Sequence, residues 1–349
     1  MREGRIQVGV LGCGHLFHGT IWPQIQAAGD AAPFEIVTAY SPNGTPPPGA
    51  RIAPTAADVI ADPEAEAVWI LGPAAVHAEQ AIAALNAGKH VYVQKPMGTT
   101  LDEIQAVIHA AAESAGKTVV CAPASPAYPT FRAIRAMLDA GEIGPFYYVT
   151  APFMGWGGRV IEWDRHPGWR FTTGSGPLTD HGIYGIVALL AICGPVRRVM
   201  AMARTETPTR QWRDETFAVT EPDNFVVALD FVNGGFGSLH EAWCAGTPHS
   251  TMRIHGLEGT IETTADQFDA CPREVVVRGL WGDERRRYAD PDFHTVGGNA
   301  HVWADLLEFA DCIRTGRESV ASPRAMHHAY AVIDAILRSA ETGTAITIP

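Results

Sequence analysis

The sequence predicts an α/β domain with a doubly wound parallel sheet over residues 1–122. An α+β domain with a large, mostly antiparallel open sheet is expected over residues 123–349. Three observations predict this. Apolar strands alternate with single helices through the first third of the chain. Those strands are continuously apolar, as strands covered on both faces must be. Beyond residue 122, hairpin-like strands follow one another with few helices between them, which predicts antiparallel pairing.

The elements follow in order. Ile6 to Leu11 is an apolar run that breaks into Gly12-Cys13-Gly14. "IWPQIQAAG" reads as a helix ending at Gly29, and "FEIVTAY" as a second strand before a Pro/Gly loop. "AADVIADPEA" is a helix and "AVWILGP" a strand; "AAVHAEQAIAALNAGK" is a helix closed by Gly88, and "HVYVQKP" a fourth strand. "TLDEIQAVIHAAAESAGK" is a helix with Thr99 or Thr100 as N-cap and Gly116 as C-cap, and "TVVCAPA" is a fifth strand. In the second domain the strands are "FYYVTA", "VRRVMAMAR", "NFVVALDFVNGGFGSLHEAW", "HSTMRIHGLEGTIETT" and "EVVVRG", with "FVNGGFG" as a hairpin turn.

Composition excludes several classes. The chain has 349 residues, enough for two domains at roughly 150 residues each. A net charge of −12 argues against nucleic acid or an anionic membrane surface as partner. No apolar run reaches the roughly 18 residues of a membrane span, and the N-terminus enters a strand with no secretory h-region. The six cysteines are scattered without a CxxC pair, which predicts reduced thiols and a cytoplasmic location. No metal is expected: His15/His18 and His294/His301 lack carboxylates or cysteines at ligand spacing.

In a doubly wound fold, ligands sit at the carboxyl ends of the strands. A Gly-x-Gly turn between a strand and a helix lets backbone approach a pyrophosphate and aims helix-start amides at it. The third glycine position of the fingerprint holds Phe17, and a glycine returns only at Gly19. The second strand ends in Ser41-Pro42-Asn43, with no carboxylate to take the ribose 2′-hydroxyl. This permits NADP(H), which is slightly favoured over NAD(H), with Arg51 as a candidate for the 2′-phosphate. Lys95 follows the fourth strand directly and so belongs on the ligand edge.

These residues resemble the glucose–fructose oxidoreductase / inositol dehydrogenase / MocA-type family, almost end to end. "GCGHLF", "ADPEAEAVWILGPAAVHAEQAIAALNAGKHVYVQKP", "GEIGPFYYV", "GSGPLTDHGIYGIVALLAICGPVRRV" and the C-terminal stretch from "FADCIRTGRESV" carry the resemblance. It implies an NAD(P)-dependent oxidoreductase acting on a sugar, cyclitol or related polyol. It implies cofactor contacts at Gly12, Cys13, Gly14, His15, Leu16, Phe17, Ser41, Gly72, Pro73, His77, Gln94, Lys95 and Pro96. It also implies a homodimer or homotetramer formed through the second domain's sheet. Lys95 matches the signature lysine, within Gln-Lys-Pro where the family has Glu-Lys-Pro. Asp180 matches a substrate-orienting aspartate, and Tyr184 stands where many members have a catalytic histidine.

The chemistry is coherent. Hydride transfer from a carbinol requires the hydroxyl proton to move as well. A phenol with a pKa of about 10 becomes a useful acid–base only beside a cation. An ammonium at about 4 Å contributes roughly 4 kcal/mol at an effective dielectric near 20. Lys95 and Tyr184 are therefore candidate partners, and either can make the transfer. Asp180 and Tyr184 stand at i and i+4 on a predicted helix, where Asp180 is also a candidate N-cap. His181 is a substitute base. The aromatic and Arg-rich segment upstream offers Trp163, His166 and Arg170 as walls of a substrate pocket. A nucleotide-binding regulator without turnover is the rival reading.

Overall fold

A computed structural model of the chain describes residues 4–156, 166–171, 176–247, 249–264, 272, 274–289 and 300–349. The chain divides into two compact units, Met1–Ala127 with Phe293–His327, and Tyr128–Asp292 with His328–Pro349.

In the first unit, β1 (Ile6–Leu11), β2 (Phe34–Tyr40), β3 (Arg51–Ile52), β4 (Ala67–Ile70), β5 (His90–Val93) and β6 (Val119–Cys121) form a parallel sheet. Its order is β3-β2-β1-β4-β5-β6, so the direction of winding reverses between β1 and β4. Every residue of β4, β5 and β6 is buried, as the unbroken apolar runs predict. Helices α1 (Trp22–Ala28), α2 (Ala56–Ala61), α3 (His77–Asn86) and α4 (Leu101–Glu113) connect the strands. Both threonines before α4 are used. Thr100 Oγ1 accepts the Glu103 N–H, while the Glu103 carboxylate takes the Thr99 N–H and hydroxyl.

Helix α7 (Ala300–Thr315), which the sequence reading places in the second domain, packs in this first unit. Phe309 stacks on Phe34 at 6.4 Å, and the buried Asp305 carboxylate accepts the Ala124 N–H at 2.7 Å.

The second unit holds α5 (Pro129–Asp139), α6 (Ile183–Cys193) and a nine-stranded sheet among the described residues. Its strands are β7 (Phe146–Trp156), β8 (Val196–Arg204), β11 (Asn224–Phe231), β12 (Phe236–Ala245), β13 (Arg253–Gly256), β14 (Gly259–Thr264), β15 (Glu274–Gly279), β16 (Glu284–Ala289) and β17 (Ile346–Thr347). The order is β16-β15-β14-β13-β7-β12-β11-β8-β17, antiparallel except for the parallel pair β7/β12. A separate hairpin, β9 (Thr209–Trp212) and β10 (Glu215–Ala218), stands beside it. Helix α6 covers one face closely: a Cβ on Gly185 would lie 2.7 Å from the Phe153 ring of β7. The other face carries Met200, Met202 and Val226, all exposed and brought together by the register of β8 and β11, while the exposed Phe236 lies across from Asp230. Helix α8 (Pro323–Thr342) contributes its C-terminal part here, where Ser339 Oγ accepts the Ala201 N–H at 2.9 Å.

Candidate active site

In the first unit, the turns that leave β1, β2, β4 and β5 lie at the carboxyl ends of the parallel strands. Gly12 leaves β1 at φ +102°, and a Cβ there would lie 2.8 Å from Gly72 N and 2.9 Å from Leu71 C. Only glycine lets the turns after β1 and β4 pass this closely. The first helical bond after the turn runs from His18 N–H to the Gly14 carbonyl, so the preceding amides form the open start of a helix. Ser41 Oγ accepts the Cys13 N–H at 3.0 Å, which ties the end of β2 to this turn. The cradle fits a dinucleotide pyrophosphate: glycine backbone in close approach and helix-start amides above it. Phe17 is fully buried in a π-helical turn, Phe17–Ile21, and stacks on Trp22 at 6.0 Å. The wider turn makes room for a large ring where the usual fingerprint places glycine.

Two of the expected cofactor residues have protein partners of their own. Arg51 Nη2 pairs with Asp62 at 2.5 Å and with Glu64 at 3.1 Å, on a side chain that is more than half exposed. His77 spends both ring nitrogens on backbone: Nδ1 is 2.7 Å from the Pro96 oxygen and Nε2 2.9 Å from the Gly72 oxygen. Burial pushes its pKa down, against the pull of the Pro96, Gly72 and Gln94 carbonyls and with the help of the Lys95 charge. His77 thus braces the turns that carry Gly72 and Pro96.

Gln94 is buried and donates to the Tyr92 hydroxyl at 2.7 Å, and that hydroxyl lies 3.4 Å from Asp305. An amide suits this position, since a glutamate would add a second buried carboxylate to the chain. Lys95 follows, half-buried, with its N–H 3.3 Å from Gln94 Oε1.

In the second unit, candidate residues gather at the start of α6. Residues Leu178–Gly182 form a π-helical turn that runs into α6, so Asp180 and Tyr184 are not on one regular α-helical face. Asp180 does not cap the helix. Its buried carboxylate lies 3.4 Å from Arg170 Nη1, which joins two of the expected substrate residues. Tyr184 is nearly buried, and its ring centroid lies 6.4 Å from that of His181. His166 packs against Trp212 and Phe217 of the β9/β10 hairpin, with Nε2 3.4 Å from Glu215. Trp163 lies outside the described residues.

Residues 6–122 match the model of the oxidoreductase family with NAD-binding Rossmann fold. Residues 131–262 match the GFO/IDH/MocA C-terminal domain. The chain belongs to the GFO/IDH/MocA oxidoreductase family.

Within this family the chain is 27% identical to trans-1,2-dihydrobenzene-1,2-diol dehydrogenase of Mus musculus over 298 residues, covering 82% of this chain and 80% of that protein. It is 26% identical to scyllo-inositol 2-dehydrogenase (NAD(+)) of Bacillus subtilis over 271 residues, covering 76% and 72%. The solved structure of a levoglucosan dehydrogenase in complex with NADH and levoglucosan superposes with a TM-score of 0.81 at 23% identity, over 99% of this chain and 100% of that one. The chain is therefore an oxidoreductase with an NAD-binding Rossmann domain.

Sequence reasoning missed Glu241, Arg210 and Asp223. Arg210 and Asp223 pair at 3.2 Å with no exposed side-chain surface, and Arg210 also donates to the Trp243 carbonyl and lies over Phe171. One signal for Glu241 was available: it interrupts the otherwise apolar inward row Gly237, Leu239, Glu241, Trp243 of β12.

Proposed function

We propose that this protein moves hydride between a nicotinamide dinucleotide and the carbinol or ketone carbon of a sugar, cyclitol or related polyol. Lys95 and Tyr184 form its acid–base pair. The observation that carries the reading is the cluster of Asp180, His181 and Tyr184 at the start of α6, with Asp180 and Tyr184 buried and Arg170 bracing Asp180. Its relatives named for a diol and an inositol support the substrate class.

When bound, the nicotinamide supplies the hydride acceptor or donor. The protein's own residues manage the proton. Tyr184 exchanges a proton with the substrate hydroxyl, and the Lys95 ammonium favours its phenolate. Asp180, held by Arg170, orients a neighbouring hydroxyl. Phe153 and Trp243 pack beside His181 and give it apolar neighbours on those sides.

The dinucleotide form is weakly selected. Ser41 offers no carboxylate to a 2′-hydroxyl, and Arg51 is held by Asp62 and Glu64. NADH and NADPH should then bind within about tenfold of each other, a difference of about 1.4 kcal/mol. The exposed Met200, Met202 and Val226 support a homo-oligomer through the open sheet face, and a monomeric mass by light scattering would remove that part of the reading.

The test is a titration with NADH and NADPH by tryptophan quenching, followed by a turnover screen over sugars and cyclitols with either oxidised form. Binding with turnover of at least one polyol is expected. Binding without turnover across the panel would favour the regulatory reading.

A further inference from the structure

Glu241 has no part in the scheme above. It lies on β12 with no exposed side-chain surface, in a row where an apolar residue would pack at lower cost. Its Oε1 and Oε2 lie 2.9 Å and 3.1 Å from His181 Nδ1. The helix start comes close to the strand here: a Cβ on Gly182 would lie 3.4 Å from Glu241 Cγ. Burial pushes the Glu241 carboxyl up, His181 pulls it back by charge and hydrogen bond, and the Asp180 charge adds to the burial effect. The groups facing the pair are Asp180 on the π turn with Arg170 behind it, Tyr184 on α6, Phe153 on β7 and Trp243 on β12.

A carboxylate that accepts from Nδ1–H fixes the imidazole in one tautomer and leaves Nε2 as the basic nitrogen. A glutamine could accept the same hydrogen bond. Only a carboxylate also favours the imidazolium that forms when Nε2 takes a proton.

We propose that Glu241 is a positioning residue that makes His181 the proton store of the active site, one helical turn before Tyr184. The inference rests on the dehydrogenase reading. On oxidation of the carbinol, the C–H electron pair leaves as hydride to the oxidised nicotinamide, and the O–H electron pair becomes the second carbon–oxygen bond. The hydroxyl proton goes to Tyr184 and from there to His181 Nε2, and the resulting cation is held by the Glu241 carboxylate. Reduction runs the same path backwards, with His181 returning the proton. The proton is released to water between turnovers.

The test combines two readouts. Nitrogen-15 NMR of labelled histidine in the protein without dinucleotide reads the His181 tautomer directly and needs no turnover. The Nδ1–H form is expected in the wild type and in Glu241→Gln, and it should be lost in Glu241→Leu. The pH profile of turnover supplies the second readout. In Glu241→Gln the acidic limb should move to lower pH by about one unit and kcat should fall about tenfold, with dinucleotide affinity unchanged. Should Glu241→Leu fail to fold, the glutamine variant carries the test alone. An Nε2–H tautomer in the wild type, or an unmoved acidic limb in Glu241→Gln, overturns the inference. Absence of polyol turnover in the wild type would instead overturn the dehydrogenase reading and leave the tautomer result to stand by itself.

Discussion

His77 ties two strand-end turns together, with Nδ1 2.7 Å from the Pro96 oxygen and Nε2 2.9 Å from the Gly72 oxygen. A neutral imidazole has one N–H, so it donates to one carbonyl and meets the other across facing lone pairs. The turn it braces carries Lys95. We predict that His77→Ala lowers the unfolding free energy by about 2 kcal/mol, the cost of leaving one carbonyl without its donor. It should also speed amide exchange at Gln94, Lys95 and Met97. Hydrogen-exchange mass spectrometry checks this, and unchanged protection across that turn would contradict a bracing role.

The Arg210–Asp223 pair anchors the β9/β10 hairpin beside Phe171 and Trp243. Asp223 also accepts the Glu206 and Thr207 N–H groups, so its loss strands several donors at once. Asp223→Ala should cost about 3–5 kcal/mol, because it leaves a buried guanidinium uncompensated. The double variant Arg210→Met/Asp223→Leu should cost clearly less. Denaturant midpoints decide the point; equal losses would mean that the pair itself is the stabilising element.

The parts of this molecule that were legible in its sequence are those set by local rules. Unbroken apolar strands between capped helices gave away the first sheet, and the Gly12 turn and Lys95 fall at the carboxyl ends of its strands, as their sequence positions imply. Three features were not legible, each for a physical reason. A π turn has the same composition as an α turn, so the shifts at Phe17–Ile21 and Leu178–Gly182 left no pattern to read. The return of α7 to the first unit depends on Asp305 and Phe309 meeting Ala124 and Phe34, contacts of long sequence separation. Glu241 finds His181 across 60 positions, and only its place in an apolar row hinted that it was special.

Glu308 sets a pH dependence. Burial pushes its carboxyl up, but bonds from Arg317, Cys312 and Ser319 outweigh this and leave it below the ordinary value of 4.5. A carboxyl depressed on folding stabilises the protein above its unfolded pKa and loses that contribution as pH falls through the depressed value. Wild-type stability should therefore drop on acidification below about 4.5. In Arg317→Leu, burial prevails and the sign reverses: this group's contribution should then fall as pH rises through the carboxylate range. Denaturant midpoints against pH in both proteins check it, and parallel curves would show that Arg317 does not control Glu308.

In the proposed reaction Tyr184 handles the substrate proton. The most direct test is the single-turnover rate of nicotinamide reduction in wild type and Tyr184→Phe, with a polyol identified by the turnover screen and dinucleotide affinity measured on the same samples. The rate should be at least about a hundredfold lower in the variant, with affinity within about twofold of wild type. A variant that transfers hydride at close to the wild-type rate would contradict this role and move the proton chemistry to Lys95 or His181.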